Sequence, residues 1–197
     1  MHTKIFFDGK SYSINARKGI DLSIKNDFSQ KGPTFFSSEQ PTMHAVRSNE
    51  FIGSIKEGGS CNVPIVSLNI HCTGTHTESI AHIIDSGEKI IDVCPWGYIT
   101  AYLLTVDLTK SDDTDESYHC DLSNDLLITA KVLKNKLSNK HEALIIRTNP
   151  NEQYKTIRDY DKNPAPFFTN DAVKYINKYE IKHLLVDIPS LDKANDG

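Results

Sequence analysis

Residues 142–148 read Glu142-Ala143-Leu144-Ile145-Ile146-Arg147-Thr148, four apolar positions between polar ends. So short and continuous an apolar run predicts a buried strand rather than an amphipathic helix. Working toward the C-terminus, Thr169 stands where it can cap a helix over Asn170–Tyr179, with Ala172, Val173, Ile176 and Tyr179 on one face. His183–Ile188 (HLLVDI) is then a final strand. Toward the N-terminus, Leu126, Leu127, Ala130, Leu133 and Leu137 predict one face of a helix capped at Ser123 or Asn124. Before it, Ile99–Leu108 (ITAYLLTVDL) and Val63–Ile70 read as strands, the second as a buried one. Lys4–Phe7 and Ser11–Ile14 flank Asp8-Gly9-Lys10 as a hairpin would. Gly19–Ser23 is a short strand or turn. Strands first, then β-α-β-α-β, predict a β-rich mixed α/β domain.

Composition sets the bounds. The 197 residues fit one domain, with 38% hydrophobic and 24% charged residues. A net charge of −4 gives no basic footprint for nucleic acid. The acidic group Asp112, Asp113, Asp115 and Glu116 reads as a solvated loop. No apolar run reaches the roughly 20 residues of a membrane helix. The N-terminus lacks the apolar core of a secretory signal, which points to the cytoplasm. Cys61, Cys72, Cys94 and Cys120 match no CxxC spacing and are expected to be reduced.

The chemistry concentrates in Cys72-Thr73-Gly74-Thr75-His76-Thr77-Glu78-Ser79-Ile80-Ala81-His82. If the chain stays extended past residue 70, alternation puts Cys72, Gly74, His76 and Glu78 on one face. Thiolate, imidazole and carboxylate are all divalent-metal ligands. Gly74 would let a metal or substrate approach the backbone. A helical turn after Glu78 would bring His82 beside it at i,i+4, where a general base belongs. His71 would face away, as a structural or outer residue. Spacing alone leaves a set of structural histidines equally open.

These residues resemble the signature of the cyclase-like metal hydrolases, the family of bacterial kynurenine formamidase and isatin hydrolase. The family pattern is H-x-G-T-H-x-D-x-P-x-H, matched here by Gly74, Thr75, His76 and His82. Asp21-Leu22-Ser23 is similar to its early D-L-S motif, Ala143–Thr148 to its central strand, and Asp187–Asp192 to its D-x-x-S-x-D motif. The resemblance implies a swivelling β/β/α-type domain spanning residues 1–197, without the family's C-terminal part and the further His and Glu supplied there. It implies metal ligands Cys72, His76 and Glu78, with His82 as catalytic acid/base. Cys72 replaces the family's His, Glu78 its Asp and Ile80 its Pro. A thiolate would favour zinc over manganese. The implied activity is metal-dependent hydrolysis of a small amide, formamide, lactam or ester by a homodimer or larger assembly.

Two other readings compete: a non-catalytic ligand-binding relative of the same fold, and a thiol enzyme using Cys72 beside His71 or His76. Ser190 and Asp192 lack a G-x-S-x-G elbow. Arg147 is expected to pair with Asp187 or another acid. Trp96 would line a pocket or pack in the core, and Phe167 and Phe168 would staple the helix that follows them.

Overall fold

The structure is a computed structural model that describes residues 2–7 and 9–196. In chain order the strands begin with β1 (His2–Phe7), β2 (Lys10–Asn15), β3 (Thr42–Ala45) and β4 (Pro64–Ser67). Helix α1 (Ile90–Val93) precedes β5 (Ala101–Asp107), β6 (Thr109–Lys110) and β7 (Leu126–Ile128). Then come α2 (Ala130–Lys134), β8 (Ala143–Asn149), β9 (Phe167–Phe168), α3 (Asn170–Asn177) and β10 (His183–Val186). The fold is mixed α/β, with several small sheets and few helices.

The 142–148 run is the centre of the main sheet. Strand β8 pairs in parallel with β5 on one side and β10 on the other. Parallel neighbours need crossovers, and α3 lies in the one from β8 to β10. Leu144 and Ile146 of β8 are buried with Leu104 and Val106 of β5. Leu133 of α2 and Leu137 just beyond its end join them, with Ala172 and Ile176 of α3. A second sheet runs β6-β7-β9 and places Ile128 and Phe168 in the same core.

The helix expected from residue 123 forms only at Ala130. Leu126–Ile128 is instead strand β7, bonded to β6 and β9 on its two sides. Asn124 has a positive φ of 59°, incompatible with a helix start there. Thr129 supplies the cap, accepting from the Val132 N–H at 3.4 Å. Phe167 and Phe168 are strand β9 and fully interior. Helix α3 is capped by Thr169, which accepts from the Ala172 N–H at 3.1 Å.

The first hundred residues pack differently. Among buried apolar side chains they contribute Phe35 and the prolines Pro33 and Pro41. The hairpin β1–β2 pairs antiparallel over its length, its Asp8 lying outside the described residues. The 63–70 stretch is strand only over Pro64–Ser67, pairs with β3, and is exposed rather than buried. Residues 19–23 form no strand. Trp96 is 86% exposed and joins neither core nor pocket.

Candidate metal centre

Strand β4 ends at Ser67, and the chain turns at once. Asn69 Oδ1 accepts from the His71 N–H at 3.1 Å, and the Asn69 carbonyl accepts from the Cys72 N–H at 3.3 Å. This is a side-chain-supported turn of the kind Asn favours. Thr73, wholly buried, locks it: its hydroxyl lies 2.7 Å from the Asn69 carbonyl and 2.9 Å from Asn26 Oδ1. The extended alternation expected through Cys72 therefore does not occur. It resumes only at Thr75, whose N–H donates to the Ile24 carbonyl at 2.9 Å while its hydroxyl accepts from the Ile24 N–H at 2.8 Å.

Gly74 serves that same junction. A Cβ there would come within 2.8 Å of Asn26 Oδ1 and 3.1 Å of the Ile24 carbonyl. The close approach is by the 24–26 segment, rather than by the metal or substrate expected from sequence. The preceding Asp21-Leu22-Ser23 forms its own turn, with Asp21 Oδ1 accepting from the Ser23 N–H at 2.9 Å. Asp21–Ser23 thus leads directly into the residue that anchors Thr75.

Beyond Thr75, His76 and Glu78 share a face, as alternation requires. Ser79 then starts a single 3₁₀ turn over Ile80–His82, accepting from the Ala81 N–H at 3.3 Å. That turn brings His82 back over Glu78. The result is a carboxylate ringed by imidazoles. Glu78 Oε2 lies 3.0 Å from His71 Nδ1, 3.7 Å from His76 Nε2 and 3.8 Å from His82 Nε2. The His71 and His82 rings stack at 4.0 Å, and His71 meets His76 edge-on at 5.0 Å. His76 Nδ1–H donates to the Gly74 carbonyl at 3.0 Å, which leaves the Nε2 lone pair facing Glu78.

The donor set fits a divalent cation. Ligands of a tetrahedral zinc at about 2.0–2.1 Å stand roughly 3.3 Å apart, within the spread of distances around Glu78 Oε2. One donor atom each from His71, Glu78 and His82 also falls within 4.8 Å of the other two. The His76 side chain is 19% exposed, against 46% for Glu78 and 45% for His82, so the face is open to solvent.

The structure places the expected site residues unevenly. His76, Glu78 and His82 come together. His71, expected to face away, joins them. The polar neighbours of the Cys72 thiol are Ser38 and Asp161, and burial pushes its pKa up. A thiol whose pKa is raised by burial is poorly set up as a nucleophile. The signal for His71 is present in sequence as Asn69, a turn-former two residues earlier.

Elsewhere, Asp187 pairs with Lys155 at 2.7 Å rather than with Arg147, which is exposed on β8. Its carboxylate also accepts from the Thr148 N–H at 3.0 Å and from Asn151 Nδ2 at 2.7 Å. Ser190 accepts from the Asp192 N–H at 3.1 Å, a local turn.

Comparison of the sequence with known proteins places this chain in a family. A family model described as "Putative cyclase" matches residues 20–193. The chain belongs to this cyclase family. It is 28% identical over 149 residues to a kynurenine formamidase of Bacillus cereus, covering 76% of this chain and 62% of that protein. The kynurenine formamidase of a second Bacillus cereus strain is 28% identical over 141 residues, 72% of this chain and 58% of that one. One from Bacillus anthracis is 26% identical over 186 residues, 93% of this chain and 74% of that one. The alignments thus span about three-fifths of the length of the first two relatives.

Proposed function

We propose that this chain hydrolyses a formamide or a related small amide, lactam or ester at a divalent-metal centre built on Glu78, with zinc or manganese as the cation. The observation that carries this reading is the convergence of three imidazoles on the Glu78 carboxylate. The kynurenine formamidases among its relatives support the substrate class. A bound cation would supply Lewis acidity toward the substrate carbonyl and a neighbouring water. Glu78 and two of the three imidazoles around it would hold that cation. His82 accepts the water's proton at Nε2 and returns it to the departing nitrogen. Glu78, 3.8 Å away, steadies the imidazolium between those two transfers. The open face admits a small substrate. The four free cysteines fit a reducing cytoplasmic setting.

The test is an arylformamide assay on purified protein loaded with zinc or manganese. Turnover is expected, and His82→Ala should lose about 10²–10⁴-fold with its metal content intact. Absence of turnover in the loaded wild type overturns the reading. We further propose that the working form is a pair of chains, for the reason of surface area developed in the Discussion.

A further inference from the structure

We propose that His71 takes the metal-ligand position that Cys72 occupies in the linear motif, so that the centre is His71, His76 and Glu78 with no sulfur. The inference rests on the metal centre proposed above and deepens it by assigning its ligands.

The turn at Asn69 decides between the two side chains. It closes with the Cys72 N–H on the Asn69 carbonyl, and its side-chain arm holds the His71 N–H. Of the two, His71 and not Cys72 is among the donor atoms that gather within 4.8 Å of one another at Glu78. His71 faces it: its Nδ1 is 3.0 Å from Glu78 Oε2, the shortest of the three imidazole contacts. Its ring lies edge-on to His76, at 5.0 Å. The groups acting on the Cys72 thiol are Ser38 and the more distant charge of Asp161, with no imidazole among them. The next part of the chain cannot slip by one residue to exchange them. Thr73 is fixed to Asn69 and Asn26, and Gly74 has no room for displacement toward Ile24.

The replacement preserves the ligand chemistry of an all-nitrogen-and-oxygen set. Imidazole and carboxylate suit zinc and manganese alike, whereas a thiolate would bias the site toward soft ions. His76 is already set for ligation, its Nδ1–H engaged by the Gly74 carbonyl. His82, whose donor atom also lies within 4.8 Å of those of His71 and Glu78, is assigned to proton transfer rather than ligation.

X-ray absorption on the zinc-loaded full chain tests this. The expected spectrum shows two imidazoles and no sulfur scatterer. His71→Ala should remove one imidazole and weaken zinc binding by more than the about 100-fold that losing a mere hydrogen-bonding partner costs. Cys72→Ser and His82→Ala should leave the shell unchanged. A sulfur shell that vanishes in Cys72→Ser, or an imidazole lost in His82→Ala, overturns the assignment. So does a wild-type chain that takes up no zinc. The Cys72→Ser and His82→Ala arms decide the matter even if His71→Ala fails to fold. A sulfur-free, two-imidazole shell in a protein without hydrolytic turnover overturns the hydrolase reading and upholds this one.

Discussion

At Asn69 one residue redirects two others. Without its turn, strict alternation would carry Cys72 toward Glu78 and His71 away from it. The motif's His76, Glu78 and His82 are legible in sequence because alternation and a single helical turn need only local rules. His71 is not, because a two-residue turn inverts the pattern and an isolated Asn announces it weakly. Gly74 belongs to the same scale. Its hydrogen leaves space for Asn26 and the Ile24 carbonyl, so Gly74→Ala forces the 24–26 segment outward. Overpacking of this kind costs about 1–3 kcal/mol. Urea unfolding should register that loss, and an unchanged midpoint would refute the close approach.

At the scale of elements, strands β5, β8 and β10 and helix α3 are all visible in sequence, since each is an uninterrupted apolar run or a capped amphipathic one. The 123–137 segment misleads because Leu126 and Leu127 suit a helical face as well as a strand. Pairing with β6 and β9, which only the fold reveals, decides it. Glu116 misleads by standing among acidic neighbours that suggest a solvated loop. Its carboxylate accepts from the Ala130 N–H at 2.7 Å, the Lys131 N–H at 3.0 Å and the Thr169 hydroxyl at 2.7 Å. One acid thus serves the first turn of α2 and the cap of α3, where negative charge is favoured. Glu116→Gln should cost about 2 kcal/mol by turning an acceptor into a donor opposite a donor. A chain as stable as wild type to urea would contradict this.

Tyr118 ties the same region to the C-terminal segment, accepting from the Lys193 N–H at 3.0 Å and donating to Asp196 at 3.3 Å. Burial, joined by the charges of Asp192 and Asp196, pushes its phenol up to about 12. A group whose folded pKa is raised stabilises the fold fully below its unfolded value, about 10, and loses that contribution as pH rises toward 12. Stability should therefore fall across that alkaline window, and Tyr118→Phe should flatten the fall. An equal slope in the two proteins would rule out this contribution.

For the whole molecule, the surface is the telling quantity. A folded monomer of 22.1 kDa exposes about 9,300 Å². This chain exposes 13779 Å². The excess, roughly 4,400 Å² for one chain, is more than the roughly 1,000–2,500 Å² that each partner of an obligate homodimer commonly buries, so a second copy would cover part of it. It carries large apolar side chains from the metal-centre segment onward, including Ile83, Ile84, Ile91 and Trp96. Light scattering should give twice 22.1 kDa, and Ile83→Asp with Trp96→Asp should halve it. A wild-type monomer would leave the second-copy proposal without support. No residue pattern in the chain announces this surface, because exposure is a property of packing and not of any one residue.

The claim on which the rest depends is that Glu78 gathers its histidines around a divalent cation. Calorimetric titration of the full chain with zinc tests it most directly. One equivalent should bind to the wild type, and Glu78→Ala should abolish that binding while the protein stays folded by circular dichroism. Equal binding by Glu78→Ala, or none by the wild type, would contradict the account.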